Sequence, residues 1–221
     1  MPEYLNETLI SLIPKCQSPA SLNNYRPISL CTTIYKVVTK IIVGRLRTFL
    51  GKLISPVQAA FVPGKRGLDN VIIAQKLLHS IDLKKGNKYF MAIKIDLAKA
   101  YDRLEWNFIH KVLIAFHFPE GLVDLIMNCI SSSSISILFN GGKLDKFQPT
   151  RGIRQGDPLS PYIFLLCMEF LGYLIDKECM EKKWTPMKAS RANLEISHLF
   201  FADDLMFLPR LTRRGLHPSK G

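Results

Sequence analysis

The sequence has few cysteines, and they form no pattern that would hold a metal ion or a disulfide framework. The five cysteines among 221 residues are scattered, odd in number and include no C-x-x-C pair. The five histidines form no metal-binding grouping such as H-x-x-E-H. This composition disfavours a zinc site and a disulfide-stabilised secreted domain, and it predicts a reducing intracellular compartment.

The sequence also lacks a recognisable membrane span and a recognisable signal peptide. Its N-terminal stretch, MPEYLNETLISLIPK, has no basic region that leads into an apolar core. The most apolar stretch, PLSPYIFLLCMEFLGYLI, is interrupted by Glu169 and contains Pro158 and Pro161, so it predicts a buried helix. We therefore expect no membrane partner, and the sequence shows no internal repeat.

Acidic residues are scarce relative to basic ones. The chain has 18 Asp and Glu against 30 Lys and Arg, which gives a net charge of +12 and an isoelectric point of about 9.6. Such a charge is typical of proteins that bind nucleic acid, although surface lysines that keep a protein soluble would give the same balance. Hydrophobic residues make up 48% of the chain, which predicts a sizeable core and argues against disorder.

Hydrophobic periodicity predicts an α+β fold in which strands alternate with helices. The Asn140-Gly141 pair between two strand-like runs predicts a hairpin. Asp157 and Pro158 suit the N-cap and first position of the apolar helix that follows them. Strands are predicted at 8–14 and 89–97, and helices at 33–50, from 69 or 70 to about 83, 99–116 and 120–130.

Two adjacent carboxylates, Asp203 and Asp204, stand inside the apolar run FFADDLMF. Neighbouring residues on a flat strand point to opposite faces, so both can face one site only at a bend or a hairpin tip. Asp96 ends the alternating strand YFMAIKIDL, in which Ala92, Lys94 and Asp96 share a face. Three converging carboxylates would repel one another unless divalent cations joined them. The alternative is an ordinary solvated Asp-Asp turn, with Asp96 as a helix cap.

The order of the longer motifs resembles a known family. IKIDLAKAYDRLEW, then GIRQGDPLSPYIFLL, then FADD resemble the palm of reverse transcriptases. LIPK, NYRPISL, YKVVTKIIVGRL and QAAFVPGKRGLDN resemble the fingers of reverse transcriptases from non-LTR (LINE-type) retrotransposons, particularly those of plants. The resemblance covers about residues 8–208. It implies a reverse transcriptase domain over 1–208, with fingers over about 1–88 and, over 89–208, a palm whose antiparallel sheet carries packed helices.

The resemblance implies an RNA-directed DNA polymerase that uses two Mg²⁺ ions, with Mn²⁺ as a substitute. Its partners would be an RNA template, a DNA primer and dNTPs. The primer 3′-hydroxyl would attack the α-phosphorus of the dNTP, and pyrophosphate would leave. Asp96 and Asp203 would ligate the ions, and Asp204 would support that cluster.

Further roles follow from the same resemblance. Tyr101 falls where an aromatic ring screens against the 2′-hydroxyl of the nucleotide, a position at which the family more often has Phe. Arg26 and Lys15 fall where the family contacts the triphosphate, and Gln155 and Gly156 lie in the segment that lines the nucleotide and template pocket. The predicted nucleic-acid contacts are Lys65, Arg66, Arg151 and Arg154.

Simpler interpretations remain open for these residues. Tyr101 could be a core aromatic, and Arg26 could be a surface charge. Gly152 and Gly156 could serve only to permit a tight turn. A basic loop tip such as that at Lys65 requires no nucleic acid.

After Leu208 the resemblance stops, and residues 209–221 read as an unmatched basic tail without a thumb. We hypothesise a truncated or frame-shifted copy, which the DNA beyond this point, read in three frames, would test. The alternative function is a catalytically inactive nucleic-acid-binding remnant. A nuclear location is implied only by the life cycle of such elements, because KK and RLTRRG are too short to indicate import.

Overall fold

The structure is a computed structural model that describes residues 3–62, 64–83, 89–188 and 195–211. The chain divides into two compact units, each built from two separate stretches. Unit 1 comprises Met1–Phe49 and Lys99–Cys167, and unit 2 comprises Leu50–Ala98 and Met168–Gly221. Helices and strands occur in both units, which confirms the predicted α+β class. Across the described ranges, no helix is long and apolar enough to cross a membrane.

Five α-helices and eleven strands are assigned within the described residues. The helices are α1 (Thr33–Leu53), α2 (Gly67–Leu83), α3 (Trp106–Ala115), α4 (Glu120–Ser131) and α5 (Ser160–Met180). The strands are β1 (Glu7–Pro14), β2 (Tyr25–Cys31), β3 (Tyr89–Phe90), β4 (Ile93–Asp96), β5 (Ser134–Phe139), β6 (Gly142–Lys143), β7 (Met187–Lys188), β8 (Glu195–Ile196), β9 (His198–Phe201), β10 (Asp204–Phe207) and β11 (Arg210–Leu211).

Unit 1 contains a four-stranded sheet in the order β2-β1-β5-β6. β1 pairs with β2 in antiparallel and with β5 in parallel orientation. The β5–β6 turn has positive φ at Asn140 (48°) and Gly141 (80°), as a type I′ hairpin requires, so the predicted hairpin is confirmed. α3 and α4 contribute apolar residues to the core of this unit, namely Ile109, Val112, Leu113, Val123, Ile126 and Ile130.

Unit 2 contains a three-stranded antiparallel sheet in the order β4-β10-β9. α5 approaches β9 closely at Gly172, where an added Cβ would lie 3.0 Å from His198 Nε2 and 3.1 Å from the Phe200 ring. One apolar cluster of this unit is formed by Ala74, Leu77, Met187, Ile196, Leu199 and Leu208. The sheet is therefore held by packed helices, as the predicted palm requires.

Two predicted elements differ from the observed ones. The strand predicted at 89–97 is divided into β3 and β4. The helix predicted from residue 99 begins only at Trp106, because the preceding residues form turns in which Lys99 has a φ of 54°. The Lys99 carbonyl accepts hydrogen bonds from the N–H groups of Asp102 and Arg103, which holds these turns in place.

Two predicted helix starts also move. α5 begins at Ser160, two residues after the predicted first position at Pro158. Asp157 still acts as a cap, because its carboxylate accepts a hydrogen bond of 2.9 Å from the Leu159 N–H in the turn before the helix. α2 begins at Gly67, slightly before the predicted cap at Asp69 or Asn70.

Candidate active site

The two adjacent carboxylates lie at a tight hairpin in unit 2. β9 ends at Phe201 and β10 begins at Asp204, so Ala202 and Asp203 form a two-residue loop. Ala202 has a φ of 53°, whereas Asp203 is not among the residues with positive φ. Positive φ at the first loop residue alone is the pattern of a type II′ turn, which favours glycine there. An alanine in this conformation stores about 1–2 kcal/mol of backbone strain.

Strand pairing brings Asp96 to the same end of the sheet. Asp204 is the register partner of Asp96 across β10 and β4, and the Leu97 N–H donates to the Asp203 carbonyl at 3.3 Å. Directly opposed residues of an antiparallel pair project to the same face of the sheet. Asp96 and Asp203 are exposed, and Asp204 is half-buried. Asp96 and Asp204 therefore share one face of the sheet, whereas Asp203 lies in the loop beside them. The predicted convergence of the three carboxylates on one site stays a prediction.

Asp96, Asp203 and Asp204 together form what we call the acidic tip. A lysine that the sequence did not single out, Lys94, lies beside it. Lys94 Nζ lies 3.2 Å from Asp204 Oδ1, and the two side chains are 66% and 38% exposed. Lys94 precedes Asp96 by two residues on β4, so both occupy the same face. That shared face was visible in the alternation of the strand, and it is the signal by which Lys94 could have been found.

The donor set at the tip suits a hard divalent cation, although the carboxylates are not gathered around one point. Carboxylate oxygens are the ligands that Mg²⁺ prefers, and those of Asp96 and Asp203 are open to solvent. Asp204 is engaged by Lys94. In the part of the chain that the structure describes, no group of three His, Cys, Asp or Glu side chains is arranged to hold a metal ion. Within the described residues, Asp96 and Asp203 are the two carboxylates of this tip that no ion pair engages.

The segment RGIRQGD in unit 1 is shaped by two glycines. Gly152 and Gly156 have φ values of 86° and 108°. A Cβ at Gly152 would lie 3.0 Å from the Asp102 carbonyl oxygen, and one at Gly156 would lie 2.8 Å from the Ser29 carbonyl oxygen. Both positions therefore require glycine for backbone conformation and for space.

The backbone of the same segment is fixed by hydrogen bonds. The Ser29 N–H donates to the Gln155 carbonyl at 2.6 Å. Trp106 Nε1 donates to the Gly152 carbonyl at 2.8 Å. These bonds hold the chain on both sides of Arg154 against β2 and α3.

Arg154 belongs to a buried polar network, which corrects its predicted role as a phosphate contact. Its side chain is only 7% exposed. Nη1 donates to Asn6 Oδ1 at 2.6 Å and to Thr8 Oγ1 at 2.9 Å, and Nη2 donates to the Cys129 carbonyl at 2.9 Å. Because these donors are used inside the protein, Arg154 stabilises unit 1 and does not present its charge to nucleic acid.

Asp157 and Tyr35 complete that network. Asp157 Oδ2 accepts from the Tyr35 hydroxyl at 2.6 Å and from Arg154 Nη2 at 3.3 Å. The Arg154 guanidinium also lies 4.2 Å from the centre of the Tyr35 ring. Burial, reinforced by the Asp157 carboxylate, raises the pKa of the Tyr35 hydroxyl well above its ordinary value. Tyr35 therefore remains a protonated hydrogen-bond donor.

The residues predicted to contact the nucleotide all lie in unit 1. Arg26 is exposed on β2, and Lys15 directly follows β1, where its Nζ donates to the Asn23 carbonyl at 3.0 Å. Tyr101 is half-buried and stacks on Phe164, with ring centroids 4.9 Å apart and planes inclined by 20°. The stack fixes the orientation of the Tyr101 ring.

A cavity of about 140 Å³ in unit 1 is lined partly by the predicted pocket segment. Its lining includes Pro27, Ser29, Asp102, Arg151 and Gln155. The Arg151 side chain is 58% exposed and forms an ion pair of 3.1 Å with Glu105. Arg151 thus remains accessible to an external phosphate, in contrast to the buried Arg154.

Lys65 anchors its own loop in unit 2. Its Nζ donates to the carbonyls of Ile54 and Ser55, and Glu169 of α5 accepts from the Ser55 N–H at 3.0 Å. Burial lowers the pKa of Lys65, an effect that Glu169 opposes, and burial raises the pKa of Glu169. The ammonium group is thus partly engaged by backbone carbonyls, and the predicted template contact of Lys65 stays a prediction. Its neighbour Arg66 is exposed.

Comparisons with known proteins agree on one family. The model of a protein family described as "Reverse transcriptase (RNA-dependent DNA polymerase)" matches residues 13–215 of this chain. The chain is 29% identical to the Transposon TX1 uncharacterized 149 kDa protein of Xenopus laevis, over 94% of this chain and 15% of that protein. It is also 29% identical to the Retrovirus-related Pol polyprotein from type-2 retrotransposable element R2DM of Drosophila melanogaster, over 98% of this chain and 19% of that protein. The chain therefore spans a fifth or less of these relatives.

Solved structures show the same fold at low sequence identity. A structure of apo telomerase from Candida tropicalis, truncated from its C-terminal domain, superposes with a TM-score of 0.62 at 14% identity, covering 95% of this chain and 44% of that one. Telomerase from Candida albicans, in complex with a TWJ fragment of telomeric RNA, gives a TM-score of 0.59 at 13% identity, covering 95% of this chain and 39% of that one. The motif order and the family match lead to one conclusion: the chain belongs to the reverse transcriptase family, and several of its relatives are Pol polyproteins of retrotransposable elements.

Proposed function

We propose that this chain is the RNA-directed DNA polymerase module of a non-LTR retrotransposon, joining a dNTP to a primer 3′-hydroxyl on an RNA template. The observation that carries the proposal is the pairing of Asp96 with Asp204 beside the Asp203 loop. The names of the relatives support it, since several are Pol polyproteins of retrotransposable elements. The chemistry is transfer of a nucleotidyl group with loss of pyrophosphate.

Reverse transcriptases generally use divalent metal ions, and the tip aspartates are the residues that would hold them here. Asp96 and Asp203 would bind two Mg²⁺ ions, and Asp204 would support the pair. When bound, such ions stabilise the attacking and leaving oxygens of an in-line phosphoryl transfer. The chain itself fixes the position of the carboxylates, because the β9–β10 hairpin is paired to β4 along four residues. Positioning of this kind supplies much of the rate in such reactions.

The nucleotide contacts are proposed for residues of unit 1. Arg26 would neutralise the triphosphate, a role that its exposure on β2 permits, and Lys15 would assist it. Tyr101 would screen against the 2′-hydroxyl, and its stack on Phe164 gives the ring one fixed orientation. Gln155 and Gly156 would line the nucleotide and template pocket.

Template and primer would be held by phosphate contacts. Arg66 and Arg151 are exposed and available for this role. Each phosphate that a basic residue neutralises releases counterions, so binding of an RNA–DNA duplex should weaken steeply as salt rises. Such contacts carry no sequence information, which base pairing with the template would supply. The nuclear location stays a prediction.

Primer extension tests the proposal. The native chain should extend a DNA primer on an RNA template with dNTPs in Mg²⁺, and also in Mn²⁺. Asp203→Asn should abolish extension, because the amide removes the negative charge that a divalent cation requires. The matched control is Asp124→Asn, which changes an exposed aspartate of α4 and should leave extension unchanged.

Failure of extension would have a defined meaning. If the native chain is folded and binds the duplex yet extends no primer in either metal, the polymerase proposal is wrong. The chain would then be the non-catalytic nucleic-acid-binding remnant. Extension that survives in Asp203→Asn would instead remove this aspartate from the reaction.

A further inference from the structure

Lys94 carries the positive charge that lies next to the acidic tip. Its Nζ lies 3.2 Å from Asp204 Oδ1, across the β4–β10 pair. Met206 is its register partner, so the ion pair runs diagonally to Asp204, which itself faces Asp96. Long side chains on one face of a sheet reach such diagonal neighbours. Strand register therefore places the Lys94 side chain within reach of Asp204.

The charges explain what this lysine does at the tip. Asp96 and Asp204 are like charges directly opposed on antiparallel strands, an arrangement that destabilises a sheet. The Lys94 ammonium offsets that repulsion at Asp204, and in doing so occupies one carboxylate oxygen. Across the described ranges, Asp96 and Asp203 form no ion pair. One of the three carboxylates is thus already neutralised within the chain, and two are not.

We propose that Lys94 is a positioning residue that keeps Asp204 as its own ion-pair partner and thereby confines divalent metal binding to Asp96 and Asp203. The proposal rests on the polymerase function proposed above, and it concerns the metal-binding site of that function. A divalent ion at the tip must bind near the Lys94 ammonium group. Lys94 therefore weakens metal binding while it fixes which carboxylates serve as ligands.

A role of Lys94 in metal binding and a role only in stability predict different effects on metal affinity and on thermal unfolding. An exposed ion pair contributes little to stability, so loss of Lys94 should leave the fold intact. Its loss should instead free Asp204 and remove a repulsive charge from the metal site. A lysine that only stabilised the hairpin would affect thermal unfolding and would not tighten metal binding when removed.

The test is Mn²⁺ binding to the full chain, followed by the electron paramagnetic resonance signal of free Mn²⁺, with no substrate present. Lys94→Met should tighten binding by roughly three- to tenfold, the size expected when a unit charge near a divalent ion in a solvated site is removed. Lys94→Arg keeps the charge and should bind like the native chain. Lys52→Met removes an exposed lysine of the same unit and should also leave binding unchanged.

A double-mutant cycle isolates the ion pair. In an Asp204→Asn background, Lys94→Met should tighten binding by less than it does in the native chain, because no carboxylate is left to free. Binding that is unchanged or weaker in Lys94→Met would overturn the proposal, as would an equal effect in both backgrounds. Lys94→Gln provides a second neutral variant. Unfolding of both neutral variants would make Lys94 structural and would likewise overturn the proposal.

The same Mn²⁺ titration distinguishes failure of the proposed role of Lys94 from failure of the proposed polymerase function. If the native chain binds no Mn²⁺, or if Asp203→Asn binds it equally well, the metal site and the proposed polymerase mechanism both fail. If the native chain binds Mn²⁺ through Asp203 and Lys94→Met does not tighten binding, only the role of Lys94 fails.

Discussion

Two carboxylates of this protein, Asp157 and Asp204, each meet a cationic side chain, but in opposite surroundings. Asp157 is 3% exposed and is paired with a buried arginine, whose remaining donors are used by other core groups. Asp204 is 38% exposed, is paired with a solvated lysine, and has Asp96 and Asp203 beside it. The first carboxylate is fully satisfied inside the chain. The second belongs to a cluster that has more negative charge than its neighbours neutralise.

The two carboxylates should therefore differ in how much each contributes to stability. Breaking a buried ion pair costs about 3–5 kcal/mol because an unpaired charge is left in the core. An exposed pair is worth about 0–1 kcal/mol, so the Lys94–Asp204 pair contributes little to stability. Substitutions in the Arg154 network should therefore change folding, and substitutions at the acidic tip should change chemistry.

The largest effect is expected for Arg154→Met, which leaves Asp157 buried without its cation. The free energy of unfolding should fall by about 3–5 kcal/mol. Urea denaturation followed by circular dichroism measures this change. The matched control is Arg151→Met, which removes an arginine that is 58% exposed and should cost less than about 1 kcal/mol. If both variants lost the same free energy of unfolding, the distinction between the buried Arg154 pair and exposed ion pairs would be wrong.

The next effect is expected for Gly156→Ala, which tests the backbone that carries the buried network. The added methyl group would meet the Ser29 carbonyl in a residue with a φ of 108°, so we expect a loss of about 1–3 kcal/mol. Gly121→Ala is the control, because this helical glycine has open space around the added methyl group. It should stabilise α4 by about 0.5–1 kcal/mol. A neutral Gly156→Ala, by the same denaturation measurement, would contradict the structure of this turn.

A smaller effect is expected in the pH dependence of stability, through a histidine in the sheet that bears the acidic tip. His198 on β9 is buried, and burial lowers its pKa below the ordinary 6.5, although Asp176 opposes the shift. The unfolded chain therefore binds this proton more readily than the folded chain. Stability is fully present above the unfolded pKa and is lost as pH falls below it. The free energy of unfolding, measured by urea denaturation across that range, should depend less on pH in His198→Gln than in the native chain.

The smallest effect is expected for Ala202→Gly at the hairpin tip. Glycine adopts the positive φ of this position without steric cost, so stability should rise by about 0.5–1 kcal/mol despite the added freedom of the unfolded chain. Ala115→Gly, at the exposed last residue of α3, should instead lower stability slightly, because glycine has a lower helix propensity than alanine. If both substitutions destabilise the protein equally in thermal unfolding, the tip is not strained.

Local sequence patterns predicted the elements that depend on local chemistry. The Asn140-Gly141 turn and the long apolar helix follow from turn preference and periodicity, and the structure contains both. The flanking apolar runs predicted a hairpin with Asp203 and Asp204 at its tip, whereas the observed loop is Ala202 and Asp203, and Asp204 begins β10. The resemblance to reverse transcriptases was confirmed by the family match. The start of α3 was missed because tertiary hydrogen bonds hold the preceding turns, including one from the Gly152 N–H to the Leu104 carbonyl.

The roles of individual cations were harder to predict. Arg154 reads as a surface charge, since its partners Asn6 and Thr8 are distant in sequence and no periodicity connects them. Lys65 likewise reads as a free loop lysine until the Ile54 and Ser55 carbonyls are located. Lys94 was within reach of prediction, because it shares a strand face with Asp96.

The most direct test of the central claim is the thermal stability of the native chain and of Asp203→Asn as Mg²⁺ is added at constant ionic strength. A ligand that binds only the folded state stabilises it by RT ln(1 + [L]/Kd), so the free energy of unfolding rises with the ligand concentration. We expect the midpoint of unfolding to rise by about 2–4 °C in the native chain, and not in Asp203→Asn. An equal rise in both, or no rise in either, would contradict the account that the acidic tip exists to bind divalent cations.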